Sequence, residues 1–249
     1  MRYRLSPCFL VLLSLFPRTL SLFLRISSLK KSFLLHFFRL FHPTLEYNLY
    51  ICIENIPISI EYISYTKLII MKKILFIIGS LRAKSFNRQV ANVAKEIIGN
   101  RAEVSELDYS DLPLLNQDVE QPEPAAVARI RKAVSEADVL WIFTPEYNMS
   151  YPGHLKNLLD WMSRPVKFMD YGTPTCINGK RVAICGAGGK AATADCRAKL
   201  TELLSFMKAE VLQEQVGIAV PAEAWGTDVL ALTDEQKAQL KEVADKLMG

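Results

Sequence analysis

The sequence predicts an α/β domain over residues 71–249, with a five-stranded parallel sheet in the order 2-1-3-4-5 and helices on both faces. Three observations predict it. "KKILFIIG" and "ADVLWIFTP" are unbroken apolar runs of strand length, as expected for parallel strands covered on both sides. Segments with helical spacing of apolar residues lie between such runs, so strands and helices alternate. The connections are too short for other large insertions, and units of this kind wind right-handedly into one sheet.

The elements follow in order. "KKILFIIG" is the first strand, ending at Gly79. Asn87 to Ile98 carries Val90, Val93, Ala94 and Ile97 at helical spacing and stops at Gly99-Asn100. "EVSELD" is a weaker, outer strand. The Pro-rich polar loop "NQDVEQPEPAA" leads into a helix over Ala125 to Ala137. "ADVLWIFTP" is the third strand, followed by a helix over His154 to Met162. "RVAICGAG" is the fourth strand, ending in glycines, with a helix over Ala191 to Lys208 after it. "EVLQEQVGIAV" is the fifth, and Thr233 to Met248 is the last helix, opened by the capping box "TDEQ".

Residues 1–70 differ in kind. They hold no Gly, Ala or Asp and a single Val, where ordinary usage would give about five Gly. Amino acids with codons beginning in G are the scarce ones, which resembles A/T-rich DNA read as protein. "MKKILFIIGS" reads like an ordinary start, so Met71 is expected to open the functional body, with residues 1–70 a non-native or disordered extension. "MRYR" followed by the uncharged run "LSPCFLVLLSLFP" has the outline of a targeting segment but no small-residue cleavage site. Charges break every later run before the length of a spanning helix.

Charge divides the same way. The chain is +4 overall, but residues 1–70 carry eight Lys/Arg and three Asp/Glu, leaving 22 basic and 23 acidic residues in the body. A near-neutral body lacks the electrostatic footprint of a nucleic-acid binder. The five Cys, at 8, 52, 176, 185 and 196, form neither a CxxC pair nor zinc-ligand spacing, which fits reduced thiols in a cytoplasm. His154 is the body's one histidine, so no multi-histidine metal site is expected there.

In open α/β sheets ligands bind beyond the carboxyl ends of the strands, near the switch point of strand order. Three loops should meet there: "GSLRAKSFNR", "TPEYNMSYPGHLKN" and "CGAGGKAAT". The first offers Ser80, Ser85 and Asn87 as neutral donors, Arg82 as a charged fork, and the N–H groups of a helix start, together an anion site suited to phosphate. The dinucleotide and Walker patterns do not fit, because the first loop has only Gly79 and "GGKA" lacks the leading Gly and the hydroxyl. An ordinary strand-helix loop with a Ser cap is the competing reading. The second loop presents Pro145, Glu146, Tyr147 and Asn148, a fixed backbone with an aromatic face and an amide, which suits a planar heteroaromatic ring. Loop packing of Tyr147 and a solvated Glu146 remain open. In the third, Gly186, Gly188 and Gly189 would let the backbone approach a ligand, or simply end a strand.

"GSLRAKSFN" and "TPEYNMSYPGHLKNLLDW", in that order and spacing, resemble the two signature segments of the NADPH-dependent FMN reductase family, which includes quinone, azo-dye and chromate reductases of flavodoxin-like fold. The resemblance spans residues 71–249 and none of residues 1–70. It implies that Ser80, Arg82, Ser85, Phe86 and Asn87 surround the FMN phosphate. It likewise implies that Pro145, Glu146, Tyr147 and Asn148 line the isoalloxazine ring. Where many members carry serines and a second glycine pair, this chain has Gly186-Ala187 and Ala192-Thr193, so backbone contacts from Gly186, Ala187 and Gly188 are implied there and hydroxyl contacts are not. The activity implied is ping-pong hydride transfer from NADPH or NADH through flavin N5 to a quinone, flavin, azo or similar small acceptor. No side chain is assigned as a catalytic residue. A homodimer or homotetramer is implied too, with "HLKNLLDWMSR" as an interface helix. Two other classes remain as alternatives: an FMN electron carrier, which the body charge of −1 disfavours because such carriers are acidic, and a non-enzymatic module holding another phosphorylated ligand.

Overall fold

The computed structural model describes residues 71–249 together with three strands of the N-terminal region, and by backbone contacts the chain divides between Ile70 and Met71. In the N-terminal unit, β1 (Leu22–Arg25), β2 (Leu49–Ile53) and β3 (Ile56–Ser59) form a sheet with β2 central, parallel to β1 and antiparallel to β3. The targeting-like run Leu5 to Pro17 lies outside the described residues. Among the described residues no helix is long and apolar enough to cross a membrane.

In the second unit β4 (Lys73–Ile78), β5 (Glu103–Glu106), β6 (Val139–Phe143) and β7 (Arg181–Gly188) pair in parallel in the order β5-β4-β6-β7. The edge beyond β7 holds two short strands, β8 (Glu210–Val211) and β9 (Val216–Ala219), each parallel to it. The predicted order 2-1-3-4-5 is therefore present, with the fifth position split in two. The single strand expected over Glu210 to Val220 breaks because its middle is polar. Gln215 turns away to accept from Arg197 Nη1 at 3.4 Å and donate to Thr201 Oγ1 at 2.7 Å, while Glu214 pairs with Lys246.

Period-two alternation divides the core. Ile74, Phe76 and Ile78 of β4, Val139, Trp141 and Phe143 of β6, and Ala183 and Cys185 of β7 face one side. There they meet α1 (Phe86–Ile98) and α6 (Asp234–Met248). Leu75, Ile77, Leu140, Ile142, Val182 and Ile184 face the other side, under α2 (Ala125–Glu136), α3 (Gly153–Met162) and α4 (Ala194–Phe206). Helix α1 buries Phe86, Val90, Ala91, Ala94 and Ile98. Its three larger side chains alone contribute about 6 kcal/mol of transfer free energy. The capping box forms at α6 as predicted: Thr233 Oγ1 accepts from Gln236 N, and Gln236 Oε1 accepts from Thr233 N.

Two local expectations are corrected. Helix α4 starts at Ala194 and not Ala191, because Ala192 (φ 48°) and Thr193 (φ 60°) adopt left-handed backbone before it. A short helix, α5 (Ala222–Thr227), fills a stretch for which the sequence predicts none. The apolar side chains of α3 (Leu155, Leu158, Leu159, Trp161 and Met162) are all buried, so the rest of the helix is polar.

Candidate functional site

The loops after β4, β6 and β7 lie at one carboxyl edge of the sheet, and side chains from one loop hold another. Parallel strands leave that edge with unused backbone groups. Strand β6 pairs with β7 only as far as Phe143 opposite Cys185, so the Ala187 groups that point the same way need another partner. Asn87 provides it: Nδ2 donates to Ala187 O at 3.0 Å, and Oδ1 accepts from Ala187 N at 2.8 Å. The amide acts as one more residue of ladder. Asn87 is buried, and this two-way bond fixes the start of α1 against the sheet.

The Asn87 amide spends its oxygen and one of its two N–H groups on Ala187, leaving one N–H. Helix α1 also offers backbone. Its first intrahelical bond runs from Gln89 N to Ser85 O, and Ser85 makes no side-chain cap, so the N–H groups of Phe86, Asn87 and Arg88 have no acceptor within the helix. Ser80 and Ser85 are buried beside them. The competing expectation of a simple Ser cap does not hold.

Arg82 is half exposed. Its Nη1 donates to Asp228 Oδ1 at 2.7 Å, Nη2 donates to Lys84 O at 2.6 Å, and its Cζ lies 4.9 Å from the centre of the Phe86 ring. Trp225 of α5 stands edge-on to Phe86 from a centroid distance of 5.0 Å. These contacts leave the remaining guanidinium N–H groups of Arg82 uncommitted.

The second loop makes a tight turn. Tyr147 and Ser150 exchange backbone hydrogen bonds of 2.9 and 3.1 Å around Asn148 (φ 52°) and Met149 (φ 58°), the geometry of a type I′ turn. Asn suits that conformation and Met does not. Pro145 and Glu146 are partly buried, and Tyr147 is 50% exposed. Glu146 is not merely solvated: Oε2 accepts from Cys196 N at 2.9 Å, satisfying the first turn of α4. Lys199 Nζ donates to Met149 O at 2.7 Å and ties the turn to the same helix.

Gly186, Ala187 and Gly188 end β7, as the run "RVAICGAG" predicts, and pairing with β9 runs through Gly188 opposite Ala219. The missing side chains of Gly186 and Gly188 make room for Thr193. A Cβ on Gly186 would lie 1.9 Å from Thr193 Oγ1 and 2.9 Å from Thr144 O, and one on Gly188 would lie 2.8 Å from Thr193 Cγ2. Thr193 is buried and its hydroxyl has no partner among the described residues. Gly79 serves Thr144 in the same way, since a Cβ there would meet Thr144 Oγ1 at 2.8 Å.

His154 enters α3 beneath the first loop, its ring stacked on Tyr109 at 5.9 Å. Burial lowers its pKa, and a hydrogen bond with the Gly79 backbone opposes this only in part. The three body thiols are buried, and desolvation pushes Cys176 and Cys196 up to about 11 and Cys185 up to about 12, so none is a thiolate at neutral pH. Among the described residues no group of His, Cys, Asp and Glu could hold a metal ion.

Sequence reasoning missed Asp228, Gln89, Thr144 and Thr193. The first two lie 139 positions apart and meet only in the fold. Thr144 and Thr193 had one signal, the facing glycines at 79, 186 and 188, whose lack of side chains makes room for something.

A family model described as NADPH-dependent FMN reductase matches residues 72–222. A quinone reductase of Escherichia coli (strain K12) is 36% identical over 145 residues, covering 57% of this chain and 74% of that protein. An NAD(P)H-dependent FMN reductase of Pseudomonas aeruginosa is 34% identical over 173 residues, 68% of this chain and 90% of that one. Among solved structures, a flavoenzyme NAD(P)H:(acceptor) oxidoreductase from Paracoccus denitrificans superimposes with a TM-score of 0.63 at 29% identity, covering 72% of this chain and 96% of that chain. Both signature loops fall inside the matched residues, and the chain therefore belongs to the NADPH-dependent FMN reductase family.

Proposed function

We propose that residues 71–249 form an NAD(P)H-dependent oxidoreductase that holds FMN at the carboxyl edge of the sheet and reduces a quinone or a similar small acceptor. The observation that carries this reading is the bare first turn of α1, whose unpartnered N–H groups sit with buried Ser80 and Ser85 and with Arg82 at one strand end. Donors in that arrangement fit a phosphate dianion. FMN, when bound, supplies the hydride chemistry, and the protein binds, orients and shields it. In this reading Phe86, Asn87 and Arg88 hold the phosphate through backbone N–H groups, and Arg82 adds charge. Tyr147, half exposed on a turn pinned by Glu146 and Lys199, supplies a flat face to the ring, with Pro145 and Asn148 on either side. No side chain is needed as nucleophile or general acid, in keeping with three raised thiols and a histidine held neutral.

The deciding experiment is an absorbance spectrum of the purified protein before and after anaerobic NADPH. An oxidised-flavin spectrum that bleaches on addition supports the reductase. A spectrum that persists with both NADPH and NADH means an electron carrier. No flavin bands after added FMN overturn the phosphate assignment. Arg82→Ala should weaken FMN retention while leaving folding nearly intact. We also read the protein as a cytoplasmic homodimer or homotetramer. Its buried unpaired thiols support a reducing compartment, and the exposed side chains of Val166, Phe168, Met169 and Tyr171 support an interface. Light scattering and fractionation test the two points.

A further inference from the structure

Asp228 lies after α5, far in sequence from any signature loop, yet its carboxylate reaches two cations of the first one. Oδ1 accepts from Arg82 Nη1 at 2.7 Å, and Oδ2 lies 3.4 Å from Lys84 Nζ. The backbone around Asp228 is fixed in turn. Gln89, one turn into α1, donates Nε2 to Asp228 O at 2.9 Å and accepts from Leu230 N with Oε1 at 2.9 Å. Asp228 itself takes left-handed backbone (φ 60°), which turns the chain so that its carbonyl and carboxylate can engage α1 and the loop together. The contacts close a ring: α1 through Gln89 to Asp228, Asp228 to Arg82 and Lys84, and the loop back into α1 at Ser85. Trp225, three residues earlier, packs on Phe86, the ring over which the Arg82 guanidinium lies.

We propose that Asp228 is a positioning residue for the phosphate cradle, clamping Arg82 and Lys84 so that the guanidinium faces the anion held by the first turn of α1. The inference rests on the FMN reading above. An exposed loop cation that must be ordered by the ligand loses side-chain freedom on binding, whereas one already fixed on three sides does not. A guanidinium has five donors, and two are committed here, so the clamp leaves donors for phosphate oxygens.

Simple electrostatics predicts the opposite sign. A carboxylate near a dianion repels it, and neutralising Asp228 would then tighten binding by a few fold. The two accounts separate on one titration. Apoprotein carrying Asp228→Asn is titrated with FMN and, separately, with riboflavin, following the quenching of flavin fluorescence. The expected result is a Kd for FMN raised by about tenfold, the scale of one lost charge-assisted contact, with the Kd for riboflavin within about twofold of the parent. Riboflavin has no phosphate, so a general loosening of the fold would weaken both flavins alike and overturn the proposal. So would an FMN affinity that is unchanged or tighter. Gln89→Ala keeps both charges but releases the backbone anchor. It should reproduce the FMN-selective loss in smaller degree, and a null effect there with a full effect of Asp228→Asn would reassign the clamp to charge alone. If the parent protein binds neither flavin, the functional reading fails first, an outcome distinct from parent binding with an indifferent variant.

Discussion

Asn87→Ala separates a scaffold role from a ligand role at a position where sequence and structure point to different ones. The substitution removes both hydrogen bonds to Ala187 and leaves its N–H and C=O without partners in a buried setting. Each stranded group costs about 1–3 kcal/mol, less whatever a water entering the vacated space recovers. A loss of about 3 kcal/mol is therefore expected for the apoprotein. For a domain of this size that corresponds to a melting temperature lower by roughly 6–12 °C. Urea unfolding of parent and variant, both stripped of flavin, measures it directly. Asn87→Asp should be as costly, because the carboxylate keeps the acceptor for Ala187 N, loses the donor to Ala187 O, and adds a buried charge. The result that would refute the reasoning is an apoprotein within about 0.5 kcal/mol of the parent whose FMN affinity has collapsed. That would place the amide on the phosphate and not on β7.

Gly186→Ala should destabilise by about 1–3 kcal/mol in the same unfolding assay, since the new methyl meets the Thr193 hydroxyl and the Thr144 carbonyl; pairing it with Thr193→Ser should recover little, because the backbone contact remains. Met149→Gly should stabilise by about 1 kcal/mol, by relieving left-handed backbone at φ 58°, and a lower melting temperature would show that the Met side chain makes contacts worth more than the strain. His154 sets a pH dependence. Its folded pKa lies below the ordinary 6.5, so the unfolded chain takes up the proton more readily; its contribution is intact above about pH 6.5 and is lost as pH falls through the lowered folded value. His154→Gln should flatten the fall of the urea midpoint as pH drops below about 6.5, and an unchanged slope would assign the dependence to other groups.

The strands and helices of the body were legible because burial on two faces writes itself as continuous apolar runs of strand length, such as "VLWIF". The capping box was legible because its two bonds are local in sequence. The split of the fifth strand was not, since "EVLQEQVGIAV" has the composition of a strand and breaks only because Gln215 and Glu214 find partners on α4 and α6. Glycines at 186 and 188 were read as letting the backbone approach a ligand; they also make room for Thr193, and a sequence records that space is needed without recording for what. Asp228 was invisible for the same reason that Gln89 was: each is an ordinary polar residue until the fold brings α5 over the start of α1.

A common pattern underlies these failures and bears on how signature motifs are interpreted. Of the residues in the two signature loops, Asn87 spends its side chain on β7, Glu146 on α4, and Arg82 partly on Asp228. A loop that holds a ligand by backbone N–H groups must be rigid to about half an ångström, and side chains are the means by which its neighbours make it so. In this chain the residues of that spacing therefore make scaffold contacts of their own. Under the proposed function the groups that meet the phosphate are the least distinctive in sequence, the amides of Phe86, Asn87 and Arg88, which any residue but proline could supply. It follows that substitutions at Asn87 or Glu146 should report first on the stability of the apoprotein and only through it on flavin affinity. Arg82, held from outside the motif, should do the reverse.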